Sequence, residues 1–433
     1  MKTLLAMCFV GIFTAIAQQA GPPPSRLTLD QAIALGLEHH PSLRNAGANL
    51  HLSEAQVRQA RSGYLPAISA VGSGSHIEGA FVFNPSFPPR EQMYNSYSVG
   101  LQGQLTLYDF GRTGNRVEAG NLGVEAAGFD VRAAREQVVT NVQIAYFGYI
   151  QATQVVRVDQ EAVAQAEQHL AQAKAFYSVG KRPQFDVTKA EVDLANASVT
   201  LIRGKNQLQL GRIQLENAMG IHPEQEFTTE EQFAILQFPI PLDSLKTLAL
   251  NKRPELLAAR ARLGANEALV GAAFSQHLPT LSATGNYTWS GFSEPIVLLP
   301  QLFGRWTAGI SLSFPIFQGF ALDAQVDQAR ASVDAAQSSL DLLSEDVLLE
   351  VEENFYALQE SLERIAATTR LVEQAEQNLN LAQRQYAAGV GTPLDVADAQ
   401  LTRANALITH IQAQYDYNVA LVRLRRAAGI TWF

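Results

Sequence analysis

The sequence predicts a mostly α chain with a smaller β part, built as a duplication around two very long helices. Three observations carry this. Two segments repeat: Tyr177–Val187 reads YSVGKRPQFDV and Tyr386–Val396 reads YAAGVGTPLDV, with tyrosine, glycine and aspartate matched at one constant offset. The run Ala321–Ala388 contains neither Gly nor Pro, and at ~1.5 Å rise per residue it predicts a helix about 100 Å long. Several segments of about ten residues alternate apolar and uncharged polar side chains, the period of strands with one apolar face.

In chain order, Lys2 precedes a short apolar run that closes on Ala15-x-Ala17. A charged start, an apolar core and small residues before the cleavage point describe a secretory signal peptide over residues 1–17. The run is shorter than the ~20 residues a membrane-spanning helix needs. Cys8, the single cysteine, falls inside it. The exported chain then has no thiol, which excludes disulfides and Cys-based zinc sites. No later apolar stretch reaches spanning length, so if the exported chain enters a membrane, it does so by strands and not by helices. Residues 18–26 read as a linker.

The first repeat covers residues 27–221 and the second 242–430, with a Pro-bearing connector over 222–241. Pro41-Ser42-Leu43 matches Pro254-Glu255-Leu256, Tyr64-Leu65-Pro66 matches His277-Leu278-Pro279, and Ala218–Ile221 matches Ala427–Ile430. Each repeat opens on a short helix, Thr28–Ser62 or Asp243–Gln276. Two strands follow. Tyr97, Val99, Leu101, Leu105 and Leu107 alternate with polar residues in one repeat, after a weaker strand near Ala67–Ile77. In the other, Leu281–Trp289 and Trp306–Phe314 alternate in the same way. Trp289 and Trp306 sit toward segment ends, where an interfacial aromatic belt places them. The Pro- and Phe-rich stretches Glu78–Asn95 and Gly291–Gly304 read as loops.

The long helices follow, Arg112–Val179 and Ala321–Ala388. Leu358, Ile365, Val372, Leu379 and Tyr386 recur every seventh residue. Tyr149, Val156, Val163, Leu170 and Tyr177 do so in phase. Small residues three positions later, Ala166 and Ala173 or Ala375 and Ala382, make a second seam, the code of closely approaching coiled-coil helices. Return helices Val187–Met219 and Leu394–Ala428 complete each repeat. Each has about half the length of the long run, so two short helices end to end can cover one long helix.

The chain of 433 residues is 47% hydrophobic and 17% charged, with net charge −9 and no long run of one sign. This balance argues against nucleic acid, which needs clustered Lys and Arg. Glu38, His39, His40 and His51 have no matching cluster and read as solvated helix positions, so no metal site is expected. No nucleotide, cofactor or catalytic motif is found, and the chain does not read as an enzyme.

The signal peptide, the duplicated helix–strand–strand–long helix–turn–helix plan, the twin G-x5-D turns at Gly180…Asp186 and Gly389…Asp395, and the R-x-Y-x-x-G-x5-D-V-x-x-A-x pattern of Arg384–Gln400 together resemble the TolC family of outer-membrane efflux and secretion ducts. The resemblance covers essentially the whole exported chain. It implies a homotrimer in the outer membrane. Each chain gives four strands to a shared transmembrane β-barrel, and its helices build a coiled-coil α-barrel reaching into the periplasm. It further implies a passive channel working with a periplasmic adaptor and an inner-membrane pump, proton- or ATP-driven, to export small molecules, metal ions or proteins.

On this resemblance the repeated turns are the periplasmic tips. Val179, Gly180, Lys181, Arg182, Gly389, Val390 and Gly391 form the candidate adaptor-docking surface. Asp395 and Asp398 share a helix face at i, i+3 and, with Asp186, are the candidate pore constriction. Asp186 and Asp395 also suit an N-cap or first-turn carboxylate role. Some family members carry a closing arginine in the second-half turn. Here Gly391-Thr392-Pro393 has none, and Lys181 and Arg182 lie in the first-half turn instead. The alternative is a periplasmic coiled-coil scaffold with a small soluble sheet.

Overall fold

The computed structural model describes residues 26–81, 90–221, 227–229, 233, 235, 238–293 and 302–430. The expected signal peptide, most of the linker, parts of the connector and the centres of both strand-linking loops lie outside these residues.

A short β1 (Arg26–Leu27) leads into α1 (Leu29–His39). Thr28 caps α1 reciprocally with Gln31: each backbone N–H donates to the other's side-chain oxygen, at 3.0 and 3.3 Å. α2 (Pro41–Arg61) follows, where one continuous helix was expected. The break has a local cause. A residue preceding proline is driven out of the helical region, and His40 has ψ 126. Pro41 then starts the next helix at a position that needs no N–H. β2 (Ala67–Phe81) and β3 (Arg90–Tyr108) pair antiparallel. α3 (Arg112–Ser178) runs for 67 residues and α4 (Gln184–Met219) returns for 36.

In the connector, β4 (Thr228–Thr229) pairs in parallel with β1. The second half then repeats the plan. α5 (Leu242–Lys252) and α6 (Pro254–Phe274) are again split at a proline, with Arg253 at ψ 124. β5 (Thr280–Ser293), β6 (Phe303–Ser313), the 67-residue α7 (Ala321–Ala387) and the 35-residue α8 (Pro393–Ala427) follow. Both long helices end one residue short of the expected bounds.

The strands are longer than expected. β2 and β3 run through Glu78–Phe81 and Arg90–Asn95, which read as loop. Alternation fades there, so the sequence pattern stops before the pairing does. The sheet order is β2-β3-β5-β6. Register rows place Val99 beside Trp289, Leu101 beside Tyr287 and Trp306 beside Tyr287, so the apolar residues of neighbouring strands share one face. The other face carries hydroxyls and amides, joined in places by cross-strand bonds such as Ser73–Ser98 at 2.8 Å and Ser282–Ser311 at 2.9 Å. Nothing among the described residues covers the apolar face. Leu101, Ile310 and Leu312 are exposed.

Two buried clusters, one per half, hold the helices. Val138, Val142, Leu215 and Met219 with Tyr146 form the first. Val347, Val351, Leu424 and Ala428 with Tyr417 form the second. Four of the paired positions correspond between the repeats. Tyr146 Oη also donates to Leu27 O at 3.1 Å, fixing β1 to α3. α3 packs on α4, α6 and α8, and α7 packs on α8 and α6. The long-helix hairpins α3/α4 and α7/α8 therefore stand side by side, α3 against α8, with α4 and α7 at the outer edges. No helix among the described residues is long and apolar enough to cross a membrane.

Candidate functional site: the paired tip turns

Each long helix ends in the same way because each sequence ends on Gly. Gly180 (φ 73) and Gly389 (φ 81) adopt the left-handed conformation that a side chain disfavours. Gly180 N–H donates to Tyr177 O at 2.9 Å and Lys181 N–H to Phe176 O at 3.0 Å. Gly389 N–H donates to Tyr386 O at 3.0 Å and Val390 N–H to Gln385 O at 3.1 Å. This 6→1, 5→2 pairing is a Schellman cap. It satisfies the last carbonyls and turns the chain into the return helix.

The return helices begin differently. Thr392 caps α8: Asp395 N–H donates to Thr392 Oγ1 at 3.2 Å, and Asp395 Oδ2 accepts from Thr392 N–H and Oγ–H at 2.9 and 2.7 Å. Asp395 is thus the third helical residue of a capping box, not the cap itself. The Thr392 hydroxyl and N–H hold its carboxyl below the usual range. Asp395 and Asp398 are both exposed on one face of α8. α4 has no such box. Pro183 stands at the cap position, and Asp186, in the first turn, is buried.

Asp186 belongs to a contact between the two hairpins. The Arg182 guanidinium donates from Nη2 to Gly391 O at 3.0 Å, across 209 positions of sequence. Arg182 and Gly391 are therefore matched positions of the two repeats, touching each other. Arg182 Nε lies 4.0 Å from Asp186 Oδ2, and its guanidinium carbon sits 5.3 Å over the Tyr386 ring. Tyr386 is 2% exposed and packs against His169 and Phe176 of α3, with ring centroids at 5.4 and 5.9 Å. The hydroxyl of Tyr386 and Oδ2 of Asp186 are buried without a hydrogen-bond partner. Just above lies a cavity of about 260 Å³ whose lining includes His169, Tyr386 and five glutamines.

Of the candidate docking residues, Val179, Gly180, Lys181, Gly389 and Val390 are exposed. Gly391 is buried and Arg182 half-buried, because they hold each other. Two further exposed apolar residues, Phe185 and Leu394, occupy matched positions at the start of the return helices. The sequence reading missed them. It also missed His169, a polar residue on the α3 side that packs beneath Tyr386.

Burial holds the His169 imidazole below its ordinary pKa of 6.5. Asp193 and Asp186 oppose this shift and Lys189 reinforces it. The packed tip therefore favours neutral His169. The stability this contributes is complete above about pH 6.5 and is lost as pH falls through the lowered value. Acidification below pH 6.5 is predicted to loosen this packing, seen as faster proteolytic cleavage at the two turns. His169→Gln should remove that pH dependence, and a dependence that persists in the variant would exclude His169 as its source.

At the strand end, Trp306 is largely exposed and Trp289 packs edge-on against Tyr287, with centroids 4.3 Å apart. Both tryptophans lie a few residues inside their strands, at one level of the sheet. A second aromatic level, unrecognised in the sequence, lies at the helix-facing end, where Tyr108, Phe110, Phe314, Phe317 and Phe320 are exposed. Among the described residues no group of three His, Cys, Asp or Glu side chains is placed to hold a metal ion. His51 bonds Glu54 at 3.1 Å, and His40 accepts from Ser42 N–H.

Comparison with known proteins places these features in a wider group. The model of the outer membrane efflux protein family matches residues 32–221 and 245–430. The chain is 26% identical over 403 residues to outer membrane protein TolC of Escherichia coli (strain K12), covering 90% of this chain and 80% of TolC. It is 27% identical over 416 residues to outer membrane protein OprJ of Pseudomonas aeruginosa, covering 93% and 84%. The Campylobacter jejuni CmeC outer membrane channel superposes with a TM-score of 0.81 at 20% identity, over 93% of this chain and 85% of that one.

Proposed function

Because the chain belongs to the outer membrane efflux protein family, we propose that it is the passive outer-membrane duct of a three-part export machine. A homotrimer receives cargo from an inner-membrane pump through a periplasmic adaptor. The observation that carries this reading is the sheet. Four strands with one uncovered apolar face and two open edges, β2 and β6, cannot stand alone in lipid, where every backbone group must be paired. The smallest single-chain membrane barrels use about eight strands. Three copies supply twelve and close the edges. A soluble scaffold does not account for the exposed apolar face.

The helices support the same assembly. Phe185, Val192 and Val199 fall every seventh residue along α4, with Ile213 two heptads further on, and all are exposed, as are Leu342, Leu349 and Tyr356 on α7. These are coiled-coil seams without partners among the described residues, on the two edge helices. Tyr177 is 47% exposed although its match, Tyr386, is 2% exposed. Inside one chain only the second hairpin has a neighbour on that side. A second copy gives Tyr177 the neighbour it lacks.

In this reading Asp395 and Asp398 ring the narrow periplasmic opening, with Asp186 behind them. The exposed tip residues Val179, Gly180, Lys181, Gly389 and Val390 meet the adaptor. Gly389→Val tests the docking claim. A β-branched residue at φ 81 is strained by about 1–3 kcal/mol and reshapes the turn. Export, read as susceptibility of the host to a panel of dyes, antibiotics and metal salts, should fall by roughly tenfold while the trimer still assembles. Unchanged export with Val at this position would remove the turn from the docking surface.

A further inference from the structure

Where side chains are described, the polar face of the sheet is almost uncharged. Among strand residues whose side chains are described, Arg305 is the single Lys, Arg, Asp or Glu on that face. Register fixes its placement. Arg305 pairs with Thr288, Thr288 with Gly100, and Gly100 with Val71, so these four form one row across the sheet. The row on the helix side is polar, with Thr307, Asn286, Gln102 and Ser69, and the row on the other side holds Ser290, Ser98 and Ser73 with the exposed Phe303 at its β6 end. The apolar face lies opposite, with Trp306 and Tyr287. Glu78, the one acid of the described strand side chains, is on that opposite face. Arg305 is exposed and makes no ion pair or hydrogen bond among the described residues.

Two strands away in the same row, Gly100 carries no side chain. A Cβ at Gly100 would lie 2.6 Å from Tyr287 O and 2.9 Å from Thr288 Oγ1, so the close approach of β3 and β5 permits no side chain there. Arg305 itself, beside Thr288 on the neighbouring strand, is exposed. A charge on the lipid face of a barrel costs about 2–4 kcal/mol near the midplane, whereas a lumen-facing charge is solvated and acts on what passes.

We infer that Arg305 is a selectivity-determining residue of the duct, which with its two symmetry mates forms an anion-favouring ring in the outer part of the strand barrel, so that the exit route suits anionic cargo such as carboxylates and phosphates. This rests on the trimeric duct reading. Eight-stranded barrels are filled by their own side chains and sixteen-stranded ones hold an aqueous channel. A twelve-stranded lumen lies between. Three guanidiniums reaching into it stand within about one Debye length of passing ions, about 10 Å at 0.1 M salt. The ring is opposite in sign to the acids at the tip, and the two act in series.

The test uses purified full-length protein in planar bilayers, in an Asp395→Ala, Asp398→Ala background so that the tip acids no longer set the sign. Chloride-to-potassium permeability is read from reversal potentials in a KCl gradient. Arg305→Gln should lower the ratio about twofold at 0.1 M, Arg305→Glu should lower it further, and Arg305→Lys should leave it unchanged. All differences should shrink at 1 M salt, where the screening length is about 3 Å. Equal ratios for all four proteins, each conducting, would overturn the inference and leave the duct standing. No conductance from any of them would overturn the duct and this inference together.

Discussion

Arg182→Ala is expected to open the periplasmic tip, raising the conductance of reconstituted channels by roughly tenfold or more. Two of the contacts of Arg182 tie one hairpin to the other, the N–H donated to Gly391 O and the guanidinium over Tyr386, and a third, the approach to Asp186 within its own hairpin, holds the side chain in place. A hydrogen bond to a charged donor is worth about 1.5–3 kcal/mol. A desolvated cation–π contact adds up to about 2 kcal/mol. Even 2 kcal/mol shifts a two-state ratio by about thirtyfold. The loss also leaves the buried carboxylate of Asp186 without its cation.

Repeat symmetry gives the effect a location. Within a chain, Arg182 latches the first turn to its match, Gly391. Across the seam between copies, the equivalent donor would be residue 391 itself, and glycine has no side chain. In a trimer, three seams of the six-hairpin ring would be latched and three would not. Arg182→Lys should give an intermediate conductance, since an ammonium keeps the charge but loses the planar fork. Conductance unchanged in Arg182→Ala would mean that the contact does not hold the tip.

The second large effect concerns the acids of α8. Replacing Asp395 and Asp398 with alanine is expected to abolish cation preference at the tip. In a trimer each position gives three carboxylates, and such rings favour cations. Asp395 keeps its charge over a wide range. Thr392 holds its carboxyl below the ordinary value of 3.8, so its charge, and the capping contribution that goes with it, is complete above that value and is lost only as pH falls through the lowered one. Asp395→Asn separates two roles. Its side-chain oxygen can still accept from Thr392, so the helix start survives while the charge is gone. Selectivity lost in Asp395→Asn, Asp398→Asn with normal trimer assembly assigns the effect to charge. Selectivity retained in both double variants would remove these residues from the constriction.

Much of this molecule can be read from its sequence because its elements are long and periodic. The run from Ala321 predicts α7 to within one residue, because nothing in it interrupts a helix. The glycines of the two turns declare themselves by repetition. Strand faces follow from alternation through Leu105 and Leu312. What escaped notice has identifiable causes. The apolar pattern of the first helix in each half continues across Pro41 and Pro254, and hides a break that the proline itself enforces. The outer strand ends lose alternation while keeping their hydrogen bonds. At the tip, heptad phase marks Tyr386 as a packing residue and Thr392-x-x-Asp395 has the form of a cap. The bond from Arg182 to Gly391 depends on how two hairpins stand beside each other, and no local pattern encodes that. Tyr177 shows the same limit. Its sequence environment is that of Tyr386, yet the chain alone leaves it exposed.

The central claim is that one chain is a third of a membrane duct. The most direct test is the protein mass of the complex extracted from outer membranes in mild detergent. Three copies of the chain are expected, which closes twelve strands and gives the exposed seams of α4 and α7 their partners. A monomer or dimer recovered without detergent would show that the strands do not span a membrane, and would contradict the account at its base.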